Sequence, residues 1–150
     1  MKAISLTQPW ATAMALGIKS WETRSQKMHA SYRGPLLIHA SSLFPSWARD
    51  FALEQHGATK GKIPLPQDMP LGCIVAFGSL MDGWFRTEDV RGKLSILDLG
   101  WGDFSNDRFT FQFQLKEAIN PVIKAKGALG LWTPKPDLVE EVYAQMVRQS

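Results

Sequence analysis

From Arg108 to Lys116 the sequence alternates cleanly, with Phe109, Phe111, Phe113 and Leu115 on one side and Thr110, Gln112 and Gln114 on the other. Period-two alternation marks a β-strand with one buried face. A face carrying three phenylalanines needs a sheet and a sizeable core to pack against, and 150 residues suffice to build one. Other segments fit the same sheet. Lys2–Thr7 sets Ile4 and Leu6 against Ala3, Ser5 and Thr7, and Leu36–Ala40 is an apolar strand entered from the turn Tyr32-Arg33-Gly34-Pro35. Gly72–Leu80 is a long run rich in β-formers and reads as a central strand, and Ala128–Trp132 reads as a further short one. Lys19–Ser25 is extended, with Trp21 and Thr23 on one side and Ser20, Glu22 and Arg24 on the other.

Prolines and glycines punctuate the rest. Pro9 opens a helix that Gly17 stops, and Pro45 opens a second that Gly57 closes. Pro136 opens a third whose apolar stripe is Leu138, Val139, Val142, Tyr143, Met146 and Val147. Gly57 to Pro70 reads as a loop, and residues 82–107 as loops around a short helix near Thr87–Arg91. There is no internal repeat and no GxGxxG or Walker A motif. The expected fold is α+β: a small mixed β-barrel of about five or six strands with peripheral helices, residues 1–150 forming one domain.

Composition narrows the function. A hydrophobic share of 45% and a charged share of 21% exclude a disordered, collagen-like or coiled-coil chain. No apolar run approaches the ~20 residues of a membrane span, and the N-terminus lacks a signal-peptide core. Cys73 is the single cysteine, so no internal disulfide or Cys-based zinc site is available, and a reduced cytoplasmic setting is expected. No metal-ligand spacing appears, and neither metal nor cofactor is expected. Net charge is +3, and its basic excess sits near the N-terminus: Lys2, Lys19, Arg24, Lys27 and Arg33 face only Glu22 within the first 35 residues. Lys116, Lys124, Lys126 and Lys135 form a second basic group, which makes a basic face if the fold brings the two together. Six tryptophans accompany this charge. Cations attract phosphates and rings stack on bases, so nucleic acid is a natural partner, although tryptophans also fill cores.

The sharpest local cluster is Lys19, Glu22 and Arg24. A carboxylate flanked by two cations either forms an ion network or reads a ligand that carries donors and negative charge, Glu22 accepting from a base amine while Lys19 and Arg24 engage phosphate. Spacing alone fits a Glu22–Arg24 surface salt bridge equally well. His39, inside LLIHA, fits a hydrogen-bonded core residue better than a catalyst, and Cys73 fits a packed thiol better than a nucleophile. His29 and His56 carry little functional weight. Trp10, at a helix start, can stack a base or anchor the helix.

Taken in order, ISLTQPWA (4–11), GIKSWETR (17–24), YRGPLLIHA (32–40), PLGCIV (70–75), GDFS (102–105) with Arg108-Phe109, and KGALGLW (126–132) resemble the ASCH domain family, with its G-x-K-x-x-E-x-R hook. The resemblance implies a PUA-like barrel with a cleft beside the hook, lined by Lys19, Glu22 and Arg24, and an RNA- or nucleic-acid-binding role. It makes Ser5, Gln8, Trp10 and His39 further contributors, with basic support from Lys27, Arg33, Lys124 and Lys126. Trp10, Trp21 and Trp132 fall inside the family segments and become candidates to wall the cleft, leaving Trp47, Trp84 and Trp101 to packing. Some relatives are hydrolases. An amidohydrolase acting on a modified nucleoside matches Lys19 but has Thr where Glu22 stands, which disfavours that activity. A metal-independent ribonuclease would use Glu22 or His39 as base with Lys19 and Arg24 on the phosphate. The leading expectation is a module that binds RNA, single-stranded nucleic acid or a nucleotide. A hydrolase and a protein-interaction adaptor built on the Gly57–Pro70 loop are the alternatives, and the sequence assigns no oligomeric state.

Overall fold

The structure, a computed structural model, describes residues 1–26 and 31–150; Lys27 and His29 lie outside the described residues. Among the described residues, six strands form one mixed sheet: β1 (Lys2–Leu6), β2 (Trp21–Arg24), β3 (Gly34–Ala40), β4 (Cys73–Arg86), β5 (Phe109–Lys124) and β6 (Leu131–Trp132), ordered β2-β5-β4-β3-β1-β6. Only β1 and β3 run parallel to each other, and the other neighbours are antiparallel. The helices are α1 (Trp10–Ala15), α2 (Ser46–Ala58), α3 (Thr87–Val90), α4 (Ile96–Leu99) and α5 (Pro136–Gln149). This is an α+β half-barrel, as the pattern of short strands and peripheral helices predicts, and its form is the PUA-like one that the ASCH resemblance implies.

Alternation decides which residues fill it. Ile4 and Leu6, Leu36 and Ile38, Leu80 and Trp84, and Phe111 and Phe113 pack inside the curled sheet, where Ala11 and Met14 of α1 close one end. The intervening Ala3, Leu37, Ile74, Phe77 and Ile123 face outward and are covered by Val142 of α5. Leu36–Ala40 is apolar on both faces because both faces are covered.

Two strands run further than their sequences suggest. β4 continues through Asp82-Gly83, the start of the stretch expected to be loops; here both take positive φ (48° and 85°) and form a bulge while pairing with β5 resumes at Trp84. β5 likewise continues past Lys116, with Asn120 and Pro121 falling in the unpaired stretch between the Ala76–Ala118 and Ile74–Ile123 partners. Such irregularities let two long strands bend into a half-barrel. Three smaller expectations also change. α2 does not end at Gly57 but runs to Ala58 and is closed by Lys60 in the left-handed region (φ 54°), with the Gly61 amide bonded to the His56 carbonyl at 2.8 Å. β6 is only two residues long, because the chain before it forms a glycine-flanked loop from Gly127 to Gly130. On α5, Tyr143 and Val147 are exposed, whereas Gln145 is buried with its amide donating to the Asn120 carbonyl at 2.7 Å.

Gly78 marks the tightest point of the sheet. A Cβ there would stand 2.1 Å from the Gln114 carbonyl oxygen and 2.6 Å from the Phe113 ring. Gly78→Ala is expected to destabilise by about 1–3 kcal/mol, read as a lower urea midpoint at unchanged slope.

Candidate functional site

β2 is an edge strand held on one side by β5, with Glu22 opposite Phe111 and Arg24 opposite Phe109. Its side chains close the open side of the half-barrel. The Arg24 guanidinium reaches across to the Ser5 carbonyl of β1, donating from Nη2 at 2.9 Å, and its Nε donates to Glu22 Oε2 at 3.3 Å. Lys19 Nζ approaches the other carboxylate oxygen at 3.1 Å and donates to the Trp101 carbonyl at 3.2 Å. The Thr23 amide adds a bond to Glu22 Oε1 at 3.2 Å. Glu22 is almost fully buried, which alone would push its pKa up; Lys19, Arg24 and these hydrogen bonds outweigh burial and hold it below the ordinary carboxylate value.

Above this network lies a cleft of about 550 Å³. One wall is aromatic: Trp10 stacks on Phe51 at 5.1 Å and approaches Trp47 at 5.7 Å, and Phe51 meets Trp101 edge-on at 5.3 Å. The other wall is polar, made by Arg24, Thr23, Asp103 and Arg108. Arg108 Nε donates to Thr23 Oγ1 at 3.1 Å and to the Asp103 carbonyl at 2.9 Å, and a quarter of its side chain stays open.

The structure brings Ser5, Trp10, Lys19, Glu22 and Arg24 to this cleft and places Gln8, Arg33, His39, Lys124 and Lys126 elsewhere. Lys19 is only 2% exposed, so it acts as the internal counter-ion of Glu22 and does not reach a phosphate in solvent. Gln8 is fully buried and clasps α1, its Nε2 donating to the Pro70 carbonyl and its Oε1 accepting from the Thr12 amide. Arg33 lies beside Gly83, away from the cleft. His39 sits opposite Ser5 in the parallel register, its Nδ1 2.9 Å from Ser5 Oγ and its Nε2 2.7 Å from the Ala125 carbonyl. A carbonyl only accepts, so Nε2 carries the proton and the Ser5 hydroxyl donates to Nδ1. Burial pushes the His39 pKa below the ordinary imidazole value, which keeps this neutral form in place, with the Ala125 bond opposing in part.

Lys126 and Lys124 flank further depressions along the 124–130 segment. Trp132 joins them and not the cleft, donating from Nε1 to Ser5 Oγ at 3.2 Å, while Trp21 packs near Phe85. Trp47 and Trp101, read from sequence as packing, line the cleft, and Trp47 is 63% exposed. Thr23, expected on the opposite side of its strand from Glu22, also reaches the cleft rim. Among the described residues no group of three or more His, Cys, Asp or Glu side chains comes together, and no helix is long and apolar enough to cross a membrane.

The sequence profile described as ASCH domain matches residues 4–91, more than half of the chain and including both β1 and the Lys19–Arg24 hook. The chain belongs to the ASCH domain family. Among solved structures, ASCH from Zymomonas mobilis is similar to this ASCH protein at 14% identity, covering 98% of this chain and 93% of that one, with a TM-score of 0.54. A single-site mutant of the same Zymomonas mobilis protein superposes with a TM-score of 0.59 at 13% identity, covering 95% of this chain and 96% of that one. At such identities the likeness shows the shared fold. No curated protein sequence matches the chain.

Proposed function

We propose that this ASCH protein binds single-stranded RNA in the cleft between the aromatic wall and Arg24. Family membership supports an RNA-binding role in general terms. The observation that carries the specific reading is the pairing of an exposed Trp47 and a Trp10–Phe51 stack with two partly open guanidiniums, Arg24 and Arg108, across one cleft. Aromatic faces hold bases irrespective of sequence, and guanidiniums hold phosphates in a bidentate geometry. Buried Lys19 and Glu22 set the position of Arg24 and do not contact the polymer.

The same geometry favours binding over cleavage. Both Glu22 oxygens are engaged by Lys19, Thr23 and Arg24, and a carboxylate with a lowered pKa is a weak proton acceptor. His39 is 2% exposed, and its free ring nitrogen already takes the Ser5 proton. Neither candidate base is available to a ribose hydroxyl.

Fluorescence anisotropy with a labelled mixed-sequence RNA hexamer tests the reading. Affinity is expected to fall steeply with salt, and Arg24→Ala and Arg108→Ala each to weaken binding about 10- to 100-fold. Trp47→Ala, at an exposed position, is expected to cost about 1–3 kcal/mol of binding without loss of stability. Unchanged affinity in the Arg24→Ala, Arg108→Ala double variant would remove the site. Multiple-turnover loss of intact hexamer on incubation with the wild type would replace the binder with a ribonuclease.

A further inference from the structure

The cleft does not end at Arg24. Ser5, Thr7 and Arg24 form a saddle shared with a second depression of about 540 Å³, between β1, the 41–43 segment after β3 and the 125–130 loop. Its chemistry differs from that of the first. Arg24 and Lys126 are its cations, Ser41 and Ser42 bring hydroxyls, and no carboxylate lines it. Lys126 is exposed and makes no ion pair among the described residues. Leu43 (75% exposed) and Leu129 (98% exposed) stand at the rim, two large apolar side chains that the fold leaves uncovered.

The floor is already satisfied internally. Ser5 Oγ takes the Trp132 N–H and gives its proton to His39, whose other nitrogen is held by Ala125. Gly127 makes this close cover possible, since a Cβ there would fall 2.5 Å from Ser5 Oγ and 2.6 Å from His39 Cε1. A ligand in this depression therefore meets a rigid floor, the ammonium of Lys126, unpaired among the described residues, the open part of the Arg24 guanidinium that Glu22 holds from behind, and two open apolar faces. Anionic groups and flat apolar surfaces together are what one nucleotide offers. Arg24 belongs to both depressions, and a phosphate seated there can link an occupant on each side.

We infer that the second depression is a subsite for the adjoining nucleotide of the same strand, with the linking phosphate at Arg24 and the next one at Lys126. This rests on the reading of the first cleft as an RNA site, and it names the ligand class as an oligonucleotide and not a free nucleoside or mononucleotide. A strand laid across the saddle gains a second phosphate contact and a second base platform, which a mononucleotide cannot use.

Isothermal titration calorimetry with the four nucleoside 5′-monophosphates and with a mixed-sequence RNA hexamer separates the possibilities. The wild type is expected to bind the hexamer at least about tenfold more tightly than any monophosphate. The Lys126→Ala, Leu129→Ala double variant, exposed at both positions, is expected to remove most of that advantage and lower the salt slope by about 1, with monophosphate affinity unchanged. A hexamer bound no better than a monophosphate, or a double variant that binds it like the wild type, overturns the subsite and leaves the cleft intact. Failure of the wild type to bind either ligand overturns the cleft reading and the subsite with it.

Discussion

Glu22→Gln is expected to cost about 3–5 kcal/mol of folding stability, although it changes one atom and leaves the shape of the side chain intact. The reason lies in what surrounds it. Lys19 Nζ is buried with the Glu22 carboxylate and the Trp101 carbonyl as its partners, and Arg24 completes the pair from the other side. Gln removes the negative charge and leaves a buried ammonium uncompensated. Lys19→Met alone is expected to be milder, because Arg24 still neutralises the carboxylate. The Lys19→Met, Glu22→Gln double variant is expected to recover part of the loss, giving a coupling of about 1–3 kcal/mol. A urea titration of the four proteins measures this cycle, and a Glu22→Gln cost below about 1 kcal/mol would show that the charges are solvated and not buried.

The acid limb of stability gives an independent check. Because the folded-state pKa of Glu22 is lowered from the ordinary 4.5, its contribution is fully present above that value and is lost as pH falls through the lower, folded value. The wild type is thus expected to lose stability on acidification below about pH 4.5, and the Gln variant to show a shallower loss there.

The hook was legible because its information is local. Glu22 and Arg24 sit two apart on an extended segment, so alternation alone puts them on one face. Their surroundings are not local. That Lys19 is the buried counter-ion depends on Trp101, which is 82 positions away and meets it only in the folded chain. Arg108, Trp47 and Phe51 reach the cleft by the same long-range route; Arg108 falls in a segment that carries the family resemblance, whereas nothing in the segment of Trp47 and Phe51 marks them. One signal was present: pairing the hook strand with the Phe-rich strand sets Arg24 opposite Phe109, which brings the preceding Arg108 to the cleft mouth. In the fold, alternation revealed β1 and the core of β5, and an unbroken apolar run revealed β3, which is covered on both faces. Two strands were read too short, and both run on through irregular pairing, at Asp82-Gly83 in β4 and at Asn120-Pro121 in β5. Turn chemistry and bulge chemistry use the same residues, and only the partner strand distinguishes them.

Phe111→Ala is expected to be the most damaging change in the interior, also about 3–5 kcal/mol, by a different mechanism. Phe111 is fully buried, lies opposite Glu22 on β2 and Trp84 on β4, and meets the Trp84 ring at 4.8 Å in a T-shaped contact. Trp84 itself depends on that contact, because its buried Nε1 is without a hydrogen-bond partner among the described residues and packing must offset the desolvated N–H. Truncation opens a cavity directly beneath the hook strand, whose sheet pairing is to β5 alone. Loss of core packing and loss of hook geometry are therefore expected together, so hexamer binding should weaken even where the protein stays folded. Phe111→Leu, which retains most of the volume, is expected to cost less than about 1.5 kcal/mol and to keep binding. Urea midpoints and anisotropy titrations on the same two variants measure both effects. If Phe111→Ala lowered stability by the expected amount but bound RNA like the wild type, the hook would be held by its charges alone and not by the core beneath it.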